Sequence, residues 1–165
     1  FSVAVWVLAL QRGRVGRFSD WSCLSYLGIV DGRTPEFRGS CWAKHLMVIT
    51  ITGHRDTVPA QEQLDEINQA YPEALWVQGG AQGVDGIVLI YCETYKIRHL
   101  TVLPDYKRYG GRRAPLLRNR EMVDASDLVV AFWDGRLAGG TWYTICYARE
   151  VGKEVKLYEP TPLWA

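Results

Sequence analysis

The sequence predicts an α/β domain of three layers, a parallel sheet covered by helices on both faces, and three observations carry that reading. Short β-branched or apolar runs recur between Met47 and Pro160, a stretch with helical spacing of apolar residues separates each run from the next, and Gly-rich turns follow three of the runs. A chain of 165 residues has the size of one domain, and no internal linker divides it.

The first strand is Val48-Ile49-Thr50-Ile51-Thr52, a β-branched run that stops at Gly53. Pro59 lies at a helix opening, Ala60, Leu64, Ile67 and Tyr71 share one helical face, and Pro72 ends the helix. Leu75-Trp76-Val77 is the second strand and runs into Gly79-Gly80. Val84, Ile87, Val88, Tyr91 and Cys92 then mark an amphipathic helix. Leu100 to Leu103 is the third strand. A turn-rich stretch with Gly110-Gly111 leads to a helix ending near Asp124, and Leu128 to Phe132 is the fourth strand. Gly139-Gly140 opens the last helix, Gly152 closes it, and Val155 to Tyr158 is the fifth strand. Crossovers of this length imply right-handed βαβ units and hence parallel strands.

Residues 1–46 differ from the rest. Gly, Arg, Ser and Trp recur there without a sustained period, and the first methionine, Met47, immediately precedes the first strand. The expectation is an upstream extension over 1–46, a ligand-binding domain over 47–160 and a short tail over 161–165. The alternative is an N-terminal arm that packs Trp6, Trp21 and Trp42 on the core.

Composition excludes several classes. The chain is 48% hydrophobic and 22% charged with a formal net charge of +1, so it is built neither as a disordered segment nor as a polyanion binder, and any attraction to phosphate must be local. Cys23, Cys41, Cys92 and Cys146 form no CxxC pair or Cys/His cluster, which reads as a reducing, cytoplasmic location without a metal site. His54 and His99 have no evident metal partners. The apolar opening from Phe1 to Leu10 is far shorter than the roughly 20 residues that span a bilayer, and no cofactor is expected.

Ligands of a doubly wound sheet bind outside the carboxyl ends of its strands. Three loops converge there: Gly53-His54-Arg55-Asp56, Gly79-Gly80-Ala81-Gln82-Gly83-Val84-Asp85, and Asp134-Gly135 through Gly139-Gly140-Thr141. Glycines admit a close backbone approach, and the helix N-terminus that follows offers unpaired N–H groups to a phosphate. A Gly-rich turn also serves merely to join strand to helix. Asp85 either accepts ribose hydroxyls or stabilises the helix start. The segment Lys107 to Arg120 is basic throughout except for neutral residues. Within it Arg118 and Asn119, placed at a helix start, are expected to clamp an anion, with Arg118 mattering for the ligand and hardly for stability. Trp133 either stacks on a base or closes the pocket rim.

Together these motifs resemble the SLOG superfamily, in particular its YspA-related branch. The resemblance rests on Ile51-Thr52-Gly53-His54-Arg55, the Gly79 to Asp85 loop, Arg118-Asn119-Arg120-Glu121-Met122, Ala131-Phe132-Trp133-Asp134-Gly135 and Gly140-Thr141. It implies a Rossmann-like sheet in the order 3-2-1-4-5 and a pocket for nucleotides or nucleotide-derived ligands. The site residues it implies are Gly53, His54, Arg55, Gly79, Gly80, Ala81, Gly83, Asp85, Arg118, Asn119, Trp133, Gly139, Gly140 and Thr141. The superfamily's phosphoribohydrolases carry a catalytic glutamate two residues after the Gly-Thr pair, where this chain has Tyr143. N-glycosidic or phosphate-bond hydrolysis would therefore need Asp85, Glu121 or Asp134 to supply the carboxylate. A binding or sensing domain needs only the cradles and the arginines. A single-stranded nucleic-acid module is the third reading, disfavoured by the near-neutral charge, and a homodimer is left open.

Overall fold

The computed structural model of the chain describes residues 46–162. The expected extension and its tryptophans lie outside the described residues, apart from Leu46.

Five parallel strands form the sheet: β1 (Val48–Gly53), β3 (Leu75–Gln78), β4 (His99–Thr101), β5 (Leu128–Phe132) and β6 (Glu154–Tyr158), ordered β4-β3-β1-β5-β6. Counted along the chain among these five, that is the expected order 3-2-1-4-5. β1 is central, pairing Val48 with Leu75 on one side and Ile49 with Leu128 on the other. The order reverses at β1, so the crevice falls beyond Gly53, between the loops that leave β3 and β5.

Four long helices cover the sheet: α1 (Gln61–Ala70), α2 (Val84–Tyr95), α4 (Ala114–Ala125) and α5 (Gly139–Glu150). Alternation along the strands assigns the faces. Ile49, Ile51, Trp76, Leu128, Val130 and Phe132 pack with Leu64 and Ile67 of α1 and Val84 and Val88 of α2. Val48, Val77 and Val129, one residue out of step, pack with Met122 and Val123 of α4 and Ala148 of α5. A strand apolar on both faces is what a sheet buried between two helical layers requires.

Several boundaries differ from the sequence reading. α1 begins after Ala60, whose N–H donates to Gln63 Oε1 at 2.9 Å, rather than at Pro59. β4 starts a residue earlier than expected and ends at Thr101, and Leu103 is exposed. The stretch Lys107 to Arg120 is largely helical. It holds the short α3 (Tyr106–Tyr109), in which Asp105 accepts the Arg108 N–H at 2.9 Å, a 3₁₀ turn at Gly111–Arg113, and the first half of α4. α4 thus starts four residues before Arg118, because Pro115 lacks an N–H that the first helical turn would leave unpaired anyway. Two-residue strands β2 (Thr57–Val58) and β7 (Thr161–Pro162) pair antiparallel, which carries the domain past the expected boundary at Pro160. Pieces so short have no period to read.

Among the described residues no helix is long and apolar enough to cross a membrane.

Candidate ligand-binding site

A cleft of about 460 Å³ opens at the carboxyl edge of the sheet. Of the residues expected there, Gly53, His54, Arg55, Gly79, Ala81, Asp85, Arg118, Asn119, Gly139, Gly140 and Thr141 line it. Gly80, Gly83 and Trp133 do not, and each has another role.

Gly83 caps α2 at φ 75°, and a Cβ there would lie 2.5 Å from the carbonyl oxygen of His54. It is the point where the second loop presses on the first, a close approach only glycine permits. Gly80, at φ 69°, would direct a Cβ toward Thr101 Cγ2 at 3.0 Å and Leu103 Cδ2 at 3.1 Å, not into the cleft. A side chain at Gly80 would thus meet Thr101 and Leu103 rather than the cleft. Trp133 stacks on Trp142, ring centroids 5.3 Å apart, and its Nε1 donates to Arg136 O at 2.7 Å. Its indole is committed to the loop between β5 and α5.

One buried residue that the motifs do not mark shapes the Gly79 loop. Gln78 ends β3 with Oε1 accepting the Gly80 N–H and Nε2 donating to Thr101 Oγ1, both at 2.5 Å. A polar residue closing an apolar strand just before Gly-Gly is the signal that could have marked it.

Arg118 corrects a firmer expectation. It sits in the second turn of α4, 7% exposed, and its Nη1 donates to the carbonyl oxygens of Gly79 and Val102, the latter at 2.5 Å. Its Nε donates to Asn119 Oδ1 at 2.9 Å. Asn119 Nδ2 in turn donates to Thr144 Oγ1 at 2.8 Å, and Thr144 to Gly140 O at 2.8 Å. A relay thus ties the β3 and β4 loops to the first turn of α5. An arginine so placed belongs to the scaffold as well as to the cleft wall, so its effect on stability cannot be small.

Asp85 lies at the cleft, 6% exposed, with Oδ2 accepting the Ala81 N–H at 3.1 Å. Burial raises its pKa, opposed by that hydrogen bond and by the Arg118 charge. His54 is 8% exposed, and its Nε2 lies 3.2 Å from Asp134 Oδ1 without the alignment of a hydrogen bond. Burial lowers its pKa against the pull of Asp134, which leaves the imidazole neutral at neutral pH. Arg136 spans two loops, with Nη2 2.7 Å from Asp56 Oδ1 and Nε 2.6 Å from Asp134 Oδ2. That contact holds the Asp134 carboxyl down at about 2. Asp56 and Arg136 fall in the first and third of the converging loops without being among the expected site residues, yet both line the cleft.

Arg55 is different. It is exposed, lines the cleft, and makes no ion pair or hydrogen bond with any described residue. No side chain caps the N-terminus of α2 or of α5. The cleft therefore combines an exposed guanidinium, balanced only through space by Asp85 in the first turn of α2, with the positive end of the α5 dipole.

Of the three candidate catalytic carboxylates, only Asp85 lines the cleft. Glu121 accepts the Tyr109 hydroxyl at 2.5 Å, and Asp134 is held by Arg136. Tyr143 lies outside the cleft, its ring 5.4 Å from the Arg120 guanidinium carbon. Among the described residues no group of three or more His, Cys, Asp or Glu is placed to hold a metal ion.

No family model matches the sequence, and no curated protein matches it. Among solved structures the fold is similar to the X-ray structure of DNA processing protein A (DprA) from Streptococcus pneumoniae, with a TM-score of 0.54 and 14% identity. The match covers 68% of this chain and 50% of that one, so the chain spans about half the length of that relative. At this identity the likeness shows a Rossmann-like fold.

Proposed function

We propose that the cleft binds a nucleotide or nucleotide-derived ligand through its phosphate, and that the chain is a binding or sensing domain related to the YspA branch of the SLOG superfamily. The observation that carries the proposal is Arg55, an exposed arginine that lines the cleft with no salt bridge or hydrogen bond to a described residue and only a through-space attraction to Asp85, beside the uncapped start of α5. Arginine presents a planar fork to phosphate oxygens, and the first N–H groups of α5, which no side chain caps, add donors at no reorganisation cost. His54 adds a buried ring nitrogen without a hydrogen bond at the same cleft.

Hydrolysis of the ligand is the weaker reading, since it rests on Asp85 alone and that carboxylate already holds the Ala81 N–H. Strand-tracking of nucleic acid has little support in the basic segment, where among the described side chains Arg118 alone of the cations reaches the cleft. Two free thiols, Cys92 and Cys146, accord with a reducing cytoplasmic location.

Small molecules released from the purified, denatured full chain and identified by mass spectrometry test the proposal, together with calorimetric titration of nucleotides. A copurified nucleotide, or saturable one-site binding, supports it. Absence of both sinks it.

A further inference from the structure

Beside the cleft lies a second concavity of about 700 Å³, whose walls include Pro115 and Leu116 at the start of α4 and Trp142, Tyr143 and Cys146 on α5. It is continuous with the cleft, because Arg55, Pro115, Leu116, Gly139 and Gly140 line both. We propose that this apolar annex seats the base of the nucleotide whose phosphate occupies the cleft. The inference rests on the phosphate reading above and deepens it by assigning the ligand's aromatic part a place.

Three observations support the assignment. The annex is apolar and aromatic where the cleft is charged, which matches the division of a nucleotide into a flat π-face and an anion. Trp142 is held in orientation by its stack on Trp133, at 5.3 Å and an interplanar angle of 20°, so an aromatic platform stands ready without loss of rotamer freedom. Trp133, anchored by its bond to Arg136 O, is the support and Trp142 the contact surface. Arg55 stands at the junction, where a phosphate and a base on one ribose can both reach it.

The test uses the full chain and two ligands that differ by the base alone, AMP and ribose 5-phosphate, with trypsin-resolved alkylation of Cys146 as an independent readout. The expected result is AMP binding roughly 5- to 150-fold more tightly than ribose 5-phosphate, the span of base–aromatic stacking. Trp142→Ala should bring AMP down toward ribose 5-phosphate, Trp142→Phe should retain most of the difference, and AMP but not ribose 5-phosphate should slow alkylation of Cys146 in the unaltered chain. Equal binding of the two ligands overturns the annex while leaving the phosphate reading intact. So does an AMP preference that survives Trp142→Ala with alkylation unprotected, because the base then sits elsewhere. If neither ligand binds, the phosphate reading and the annex fall together.

Discussion

Nη1 of Arg118 donates to the carbonyl oxygen of Gly79, so the residue that reads from sequence as an anion clamp is also a tie between α4 and the loop after β3. Removing the guanidinium strands two buried carbonyls, those of Gly79 and Val102, and cuts the relay to Asn119. Arg118→Ala is expected to lower unfolding free energy by roughly 1.5 to 3 kcal/mol, the range for hydrogen bonds to charged groups. Arg118→Lys should recover only part, since an ammonium lacks the fork that reaches carbonyls and Asn119 together. Arg108→Ala, exposed on α3, should change stability by less than about 0.5 kcal/mol. Urea denaturation of the three variants decides it, and an unchanged Arg118→Ala would reduce the tie to a surface contact.

Two glycines of the site should respond in opposite ways to the same methyl group. Gly83→Ala places Cβ against the His54 carbonyl at a positive φ, and a loss of more than about 1 kcal/mol is expected. At Gly140 the nearest atom to an added Cβ is Asn119 Nδ2 at 3.9 Å, and alanine favours the helix there by roughly 0.5 to 1 kcal/mol. Gly140→Ala should therefore melt no lower than the parent while binding nucleotide more weakly, because the methyl stands over the first N–H groups of α5. Thermal melts and calorimetry on the pair separate architecture from binding. A Gly140→Ala protein with full affinity would remove this helix start from the site.

His54 links stability to pH. Its folded pKa lies below the ordinary 6.5 because burial outweighs the attraction of Asp134, with Arg136 lowering and Asp56 raising it further. A histidine that folds neutral contributes fully above about 6.5, and its contribution declines as the pH falls through that value toward the folded pKa, where the unfolded chain binds the extra proton. The expectation is a steeper loss of stability between about pH 7.5 and 5.5 for the unaltered protein than for His54→Gln. Equal slopes in urea titrations at the two pH values would show that this imidazole titrates alike in both states.

The sheet was legible because its strands are buried on both faces. Leu128 to Phe132 is apolar at every position, and neighbouring runs such as Val48 to Thr52 need no alternation to be recognised. The loop after β3 was legible for a related reason, since Gly79 and Gly83 mark backbone that comes close to the Arg118 guanidinium and to the loop after β1. What escaped was anything defined by a long-range partner. Arg118 reads from sequence as an anion clamp, and its scaffold role emerges only when the chain brings the Gly79 and Val102 carbonyls to it, while Arg136 gains its meaning only when Asp56, eighty positions away, lies opposite. The annex escaped because Pro115 and Trp142 come from separate helices whose crossing no local pattern records. Position after β5 left Trp133 either to stack on a base or to close the rim, and the partner it meets, Trp142, lies on α5 where no local pattern points to it.

Arg55 is the residue on which anion binding should turn. Arg118 is committed to backbone carbonyls and Arg136 to Asp56 and Asp134, whereas Arg55 makes no salt bridge or hydrogen bond with a described residue and feels the buried Asp85 only through space. Neutralising it breaks no salt bridge or hydrogen bond to a described residue and removes only a through-space attraction to Asp85, so Arg55→Ala should leave unfolding free energy within about 0.5 kcal/mol of the parent. Its effect on nucleotide affinity should be large, roughly 10- to 150-fold, corresponding to about 1.5 to 3 kcal/mol for a charge-assisted contact. Arg55→Lys should retain part of that affinity and show a weaker dependence on ligand geometry, because lysine offers a point charge in place of a fork. Arg136→Ala is the informative comparison: its ion pairs are solvent-screened and add little to stability, and its removal frees two carboxylates that repel an incoming phosphate. Affinity should therefore fall in both variants, but raising salt should blunt the Arg136→Ala defect more than the Arg55→Ala defect, since a diffuse repulsion is screened and a bidentate contact is not. Calorimetry at low and high salt reads this directly. Full affinity in Arg55→Ala would move the anion site away from the edge of β1.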